Sequence, residues 1–129
     1  TLCGREGVHI VNALHRDVSG PDKTLCDTCL CGVLGRKRVI IFAPDEFPTD
    51  FSFARRPDLT SDRLRPLAGL PEDEAWRRLE ELASRDDVGG AVFDLKPGRF
   101  LFIPHGWWHA VQPVDDFTFI TGPSRLSGV

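Results

Sequence analysis

The chain has 129 residues, 41% of them hydrophobic and 27% charged, and a formal net charge of -3. That length suits one domain with one core and one site, and no apolar run in it reaches membrane-spanning length. The slight acidity offers phosphate backbones no general attraction, and Arg36-Lys37-Arg38 is too short a run to make a nucleic-acid surface alone. The chain starts at Thr1 and contains no methionine, so it reads as a piece excised from a longer protein. No charged segment followed by an apolar one opens it, which makes the expected location cytoplasmic or nuclear.

Residues 8–14, VHIVNAL, follow a turn-like Gly4-Arg5-Glu6-Gly7 and are rich in β-branched and apolar side chains, the pattern of a buried strand that delivers His15. Residues 18–23 have loop composition, with Gly20-Pro21-Asp22 as punctuation. A strand over 25–34, broken at Gly32, is followed after Gly35-Arg36 by a strongly β-branched strand over 37–42 that Pro44 stops, and the spacing predicts a hairpin between the two. Residues 45–69 are irregular, with Phe51 and Phe53 marking one short strand. Pro71-Glu72-Asp73-Glu74 opens the one convincing helix, with proline and acids in its first turn and Trp76, Leu79, Leu82 and Ala83 as its apolar stripe, ending near Asp86. Short strands at 91–95, 100–103, 108–114 and 117–121 complete the chain, separated by turns at Pro97-Gly98, Pro104 to Gly106 and Asp115-Asp116. Many short strands with one helix predict a barrel or sandwich.

The chemistry gathers at FLFIPHGWWHAV, residues 100–111. His109 lies just after the Gly106 turn with Val111 next on its face, so alternation points it into whatever the strands enclose. Its best partners are in Leu14-His15-Arg16-Asp17, where His15 and Asp17, two apart on an extended chain, project to one side. Two histidines and a carboxylate form the facial triad of non-haem Fe(II) oxygenases, which leaves coordination positions open; a closed zinc site wants four ligands. Either histidine alone is more often a satisfied surface or core residue. His9 would share the His15 face of a regular strand, and His105 belongs to the turn, where exposure explains it. Trp107 and Trp108 point to opposite faces, one into the enclosed core and one outward. Cys26, Cys29 and Cys31 read as packed thiols, Cys29 and Cys31 on one strand face, with a zinc site completed by Cys3 or a histidine as the alternative.

Three blocks in order, Leu14-His15-Arg16-Asp17, the run from Gly35 to Pro44, and Lys96-Pro97-Gly98 leading to Phe102-Ile103-Pro104 and Gly106-Trp107-Trp108-His109, resemble the JmjC-type, cupin-fold 2-oxoglutarate oxygenases, the small jumonji hydroxylases above all. The resemblance runs from near the start of the chain almost to its end. It implies a double-stranded β-helix, a jelly-roll or cupin-like barrel with one short helix inserted, occupying 1–129 as a single domain without the N-terminal flanking elements of the family. It implies Fe(II) on His15, Asp17 and His109, and 2-oxoglutarate as cosubstrate, its distal carboxylate on Lys37, with Thr28 and Asn12 as further contacts. The reaction implied is oxidative decarboxylation of 2-oxoglutarate to succinate and CO2 coupled to hydroxylation of a protein or peptide side chain, or to demethylation when the hydroxylated carbon is an N-methyl group. The chain departs from the family where Arg99 follows Gly98 in place of an acid, where 120–124 lack an asparagine, in the length of the segment between Asp17 and Lys37, and in having no tyrosine. Those departures leave a rival reading, a cupin-like binding or scaffold module without turnover. The cysteines leave a third, a zinc-binding interaction module.

Overall fold

The computed structural model describes residues 2–3, 14–22, 24–47, 62–114 and 118–121. The strand expected over 8–14 lies outside them except for Leu14, as does the short strand expected at Phe51 and Phe53. The strands are β1 (Leu2–Cys3), β2 (Val18–Ser19), β3 (Thr24–Leu25), β4 (Thr28–Leu34), β5 (Lys37–Phe42), β6 (Gly90–Leu95), β7 (Phe100–Ile103), β8 (Trp108–Pro113) and β9 (Thr118–Thr121). Among the described residues, one α-helix, α1 (Glu72–Ala83), and a short 3-10 turn at Arg65–Gly69 precede β6. The fold of the described residues is therefore mainly β with one helix, as the pattern of short strands predicts.

The strands form a four-stranded sheet in the order β1-β9-β4-β7, a three-stranded sheet in the order β6-β5-β8 and a two-stranded ribbon of β2 and β3, with every pairing antiparallel. The two larger sheets meet face to face. Val39 and Ile41 of β5, Leu95 of β6 and Ile103 of β7 are buried together, with Leu30, Leu101 and Val111 packed around them. The arrangement is a sandwich of separate sheets among the described residues.

The hairpin predicted between the strands around Gly35-Arg36 does not form. β4 pairs with β7 and β9, while β5 pairs with β6 and β8, so the chain crosses from one sheet to the other through Gly35, whose φ of 69° is the left-handed conformation glycine adopts without strain. The burial of the two strands explains why. From Val39 to Phe42 every residue of β5 is buried, so β5 needs an apolar cover on both faces and an apolar neighbour on both edges. β4 is exposed at Val33 and Leu34 and only half-buried from Cys29 to Gly32, which suits a sheet with an open outer side. The irregularity expected at Gly32 is a β-bulge, where the β4–β9 register shifts between Gly32 and Leu34.

The second face of β5 lies under the helix. Ile40, Phe42, Trp108 and Ala110 pack with Ala75, Trp76, Leu79 and Ala83 of α1, and with Leu14, Phe47, Leu64, Leu67 and Val88. Helix start and stripe are as expected: Pro71 stands at the N-cap, Glu72, Asp73 and Glu74 fill the first turn, and Leu82 is partly buried beside the core. The helix ends at Ala83, before the expected Asp86. Each large side chain fully buried here contributes roughly 1.5–3 kcal/mol, so α1 fixes the three-stranded sheet that carries His109. No helix among the described residues is long and apolar enough to cross a membrane.

Candidate metal centre

β8 starts from the turn at Pro104 to Trp107, closed by the Trp107 N–H donating to the Pro104 carbonyl at 3.3 Å, with Gly106 at φ 84°. Alternation then sorts Trp107, Trp108 and His109. Trp108 is fully buried on the helix side, whereas Trp107 packs in the core between the sheets. His109 follows Trp107 to the inner side and is 3% exposed.

His15 is bound to His109 through the main chain. The His15 N–H donates to the His109 carbonyl at 3.0 Å and the His109 N–H to the His15 carbonyl at 2.9 Å, a single antiparallel bridge. Residues paired in this way project to the same face, and the two rings stand 4.3 Å apart between centroids. Asp17, two residues beyond His15, projects to the same face, with its Oδ1 3.4 Å from His15 Nε2 and its Oδ2 3.4 Å from His109 Nε2. One ligand atom from each of the three residues lies within 4.8 Å of the others. Ligands at adjacent octahedral corners with bonds of about 2.1 Å are about 3 Å apart, so small side-chain rotations close the set onto one ion.

The electrostatics favour the ligand forms. Burial pushes Asp17 up, but hydrogen bonds from His15 and Thr28 and the neighbouring imidazoles outweigh it and hold the carboxyl at about 2. Burial, and then the neighbouring His15, bring His109 down to about 4, against the opposing pull of Asp17 and the Trp107 main chain. At neutral pH the pocket therefore presents a carboxylate and a neutral buried imidazole, the forms a divalent ion needs.

The remaining candidate residues are placed as follows. Thr28, at the start of β4, is buried and its hydroxyl donates to Asp17 Oδ2. Lys37 is buried on the inner face of β5, the face of Val39 and Ile41, and Ile41 is the register partner of His109. Arg38 points to the other side, 3.2 Å from Glu80 of α1 and 3.4 Å from Asp94. Asn12 and His9 lie outside the described residues. His105 is exposed, and Asp27 Oδ1 accepts its main-chain N–H at 2.6 Å with the ring Nδ1 at 3.0 Å. Cys26 is buried, and Cys29 and Cys31 are half-buried on β4. Among the described residues the only group of three or more candidate ligands is His15, Asp17 and His109, without any cysteine.

Sequence reasoning missed Arg16. It is buried, and its guanidinium sits 4.2 Å from the centre of the Trp108 ring. The two segments that carry the candidate ligands thus meet twice, through the His15–His109 bridge on the inner side and through Arg16 on Trp108 on the outer side. Strand alternation carries the signal: the residue between two inward ligands must face outward, toward the same side as the residue before His109.

Residues 2–121 match the family model of the cupin-like domain. The chain belongs to the cupin-like domain family. No curated protein matches it. In this cupin-like domain the three donors sit at one end of the sandwich, where β4 and β8 begin and β7 ends, and exposure is graded across them. The His15 and Asp17 side chains are 31% and 23% exposed, against 3% for His109. The His109 side of the cluster is thus closed off by the fold, and the His15 and Asp17 side is open to solvent.

Proposed function

We propose that this cupin-like domain is an Fe(II)- and 2-oxoglutarate-dependent oxygenase of JmjC type that hydroxylates a protein side chain. The observation that carries the reading is the convergence of His15 Nε2 and His109 Nε2 on the Asp17 carboxylate, each at 3.4 Å. Two neutral imidazoles and one carboxylate on one face leave a divalent iron with open positions. When bound, iron and 2-oxoglutarate supply the oxidising chemistry: O2 and the 2-oxo acid react to give succinate and CO2, with one oxygen atom going to a substrate C–H bond.

The protein's own residues bind and position. His15, Asp17 and His109 hold the ion, and the Thr28 hydroxyl holds Asp17 Oδ2 in its ligand orientation. Lys37 receives the distal carboxylate of 2-oxoglutarate. Its place supports that role, since it stands four positions along β5 from Ile41, the partner of His109, a run of about 13 Å that a lysine side chain and the cosubstrate span between them. Leu30, Val39, Ile103 and Trp107 line the space between the sheets and exclude water from it.

Anaerobic Fe(II) titration followed by succinate measurement tests the assignment. The wild-type chain should take up one Fe(II) and release succinate from 2-oxoglutarate under air. Asp17→Ala should lose both, because two neutral imidazoles hold a dication poorly. Unchanged iron uptake and succinate release in that variant would refute the triad, and iron uptake without any succinate release in the wild type would leave a metal-binding module in place of an oxygenase.

A further inference from the structure

The end of the sandwich away from the metal centre carries a second surface. β6 ends one side of the three-stranded sheet and β7 ends one side of the four-stranded sheet, and among the described residues no strand pairs with the outer edge of either. The turn Lys96-Pro97-Gly98-Arg99 joins these two strands, so both edges, unpaired among the described residues, lie on the same side. Between them is a pocket of about 350 Å³ lined by Phe93, Leu95, Lys96, Arg99, Phe100 and Leu101. Its aromatic walls face solvent, Phe93 at 40% and Phe100 at 73% exposure. Lys37 pairs with Leu95 and Ile41 with His109, so about 13 Å of strand separates this pocket from the metal centre.

The turn holds its two cations firmly. The Gly98 N–H donates to the Gly32 carbonyl at 2.9 Å, the Gly32 N–H to the Arg99 carbonyl at 2.8 Å, and the Arg99 N–H to the Lys96 carbonyl at 3.0 Å. Gly32 lets the turn approach this closely, since a Cβ there would stand 2.3 Å from the Lys96 carbonyl oxygen. Lys96 and Arg99 are exposed, and neither forms an ion pair among the described residues. The one carboxylate lining the pocket, Asp94, faces Arg38 at 3.4 Å. The rim is therefore cationic, although the chain as a whole carries a charge of -3.

We infer that this groove docks an extended acidic segment of a partner protein, which adds as a strand to the free edge of β6. Main-chain hydrogen bonds to an unpaired edge supply affinity whatever the sequence, and alternate side chains supply the selection. Here one side of the added strand meets Phe93 and Phe100, which favours apolar residues, and its carboxylates meet Lys96 and Arg99. Charge complementarity picks the acidic partner. An unguarded edge would otherwise pair with any strand, and cations at such an edge repel basic segments as well as attracting acidic ones.

Fluorescence polarisation with a short labelled peptide of alternating valine and glutamate tests this on the whole chain. That peptide should bind about tenfold or more tightly than its valine–lysine counterpart, and the Lys96→Glu/Arg99→Glu pair should reverse the order. N-methylation of alternate peptide amides, which removes strand pairing and leaves the charges, should weaken binding by about tenfold or more. Equal affinity for the acidic and basic peptides would overturn the proposal, as would full binding of the N-methylated peptide. Displacement by an oligouridylate as effective as by the unlabelled peptide would mark a general anion surface and overturn it. Self-association of the charge-reversed pair with no change in peptide affinity would make the cations guards of the edge, and that outcome too would sink it.

Discussion

Replacing Thr28 by valine removes one hydroxyl from the candidate metal centre and leaves a β-branched side chain in a strand position that favours one. The hydroxyl is buried and donates to Asp17 Oδ2. A hydrogen bond to a charged acceptor contributes about 1.5–3 kcal/mol, and partners that orient metal ligands are worth about 10–100-fold in metal affinity. Thr28→Val should therefore raise the Fe(II) dissociation constant by about 10–100-fold in an anaerobic titration without 2-oxoglutarate. Thr28→Ser keeps the donor and should stay within about threefold of wild type, on the scale of a few tenths of a kcal/mol. The family resemblance assigns Thr28 to the cosubstrate, and the experiment separates the two roles. Unchanged iron affinity combined with weaker 2-oxoglutarate binding in Thr28→Val would refute the reasoning from the Asp17 hydrogen bond.

Lys37→Ala should weaken 2-oxoglutarate binding by about one to two orders of magnitude, the value of a charge-assisted hydrogen bond, and leave Fe(II) affinity intact; Arg38→Ala, on the opposite face against Glu80 and Asp94, is the control and should change neither in a calorimetric titration. The metal-free protein should lose stability as the pH falls from about 6.5 to about 4, because His109 titrates at about 4 when folded and the unfolded chain takes up that proton first; the loss is about 3 kcal/mol by linkage, and His109→Leu should flatten that part of a urea-midpoint profile measured in chelator. Asp17 contributes only below that window, where its folded value of about 2 lets the unfolded state bind the proton first. Arg16→Met should cost about 1–2 kcal/mol of thermal stability through the lost contact with Trp108 and weaken Fe(II) several-fold, whereas a purely structural role would leave the iron titration unmoved.

Much of the fold was legible because periodicity is local. The β5 and β7 boundaries, the Pro71 start of α1 and its Trp76 and Leu79 stripe follow from alternation, β-branching and first-turn acids, all visible within a few residues. Strand pairing is not local. Gly35-Arg36 has the length of a hairpin turn, and the sequence around it cannot show that β5 already has β6 and β8 on its edges. The cluster of His15, Asp17 and His109 was legible in its members and not in its supports. His15 and Asp17 are given by spacing, and His109 by its place after a turn, whereas the Thr28 hydroxyl reaches Asp17 only because the end of the ribbon brings the start of β4 beside it.

β5 explains why the ligand geometry and the core belong to one design. Its inner face carries Lys37, Val39 and Ile41, its outer face Arg38, Ile40 and Phe42, and its register with β8 puts Ile41 opposite His109 and Phe42 opposite Trp108. A shift of one residue would turn His109 toward α1 and Trp108 into the space between the sheets. Packing of Phe42, Phe47 and Trp108, with ring centroids 4.7 Å and 6.3 Å apart along that series, resists the shift. Arg16 then reads the same register from the far side of Trp108, and the paired main chains of His15 and His109 carry it to the remaining ligands. The apolar core beneath the helix therefore sets where His15, Asp17 and His109 stand, although none of its side chains belongs to that cluster.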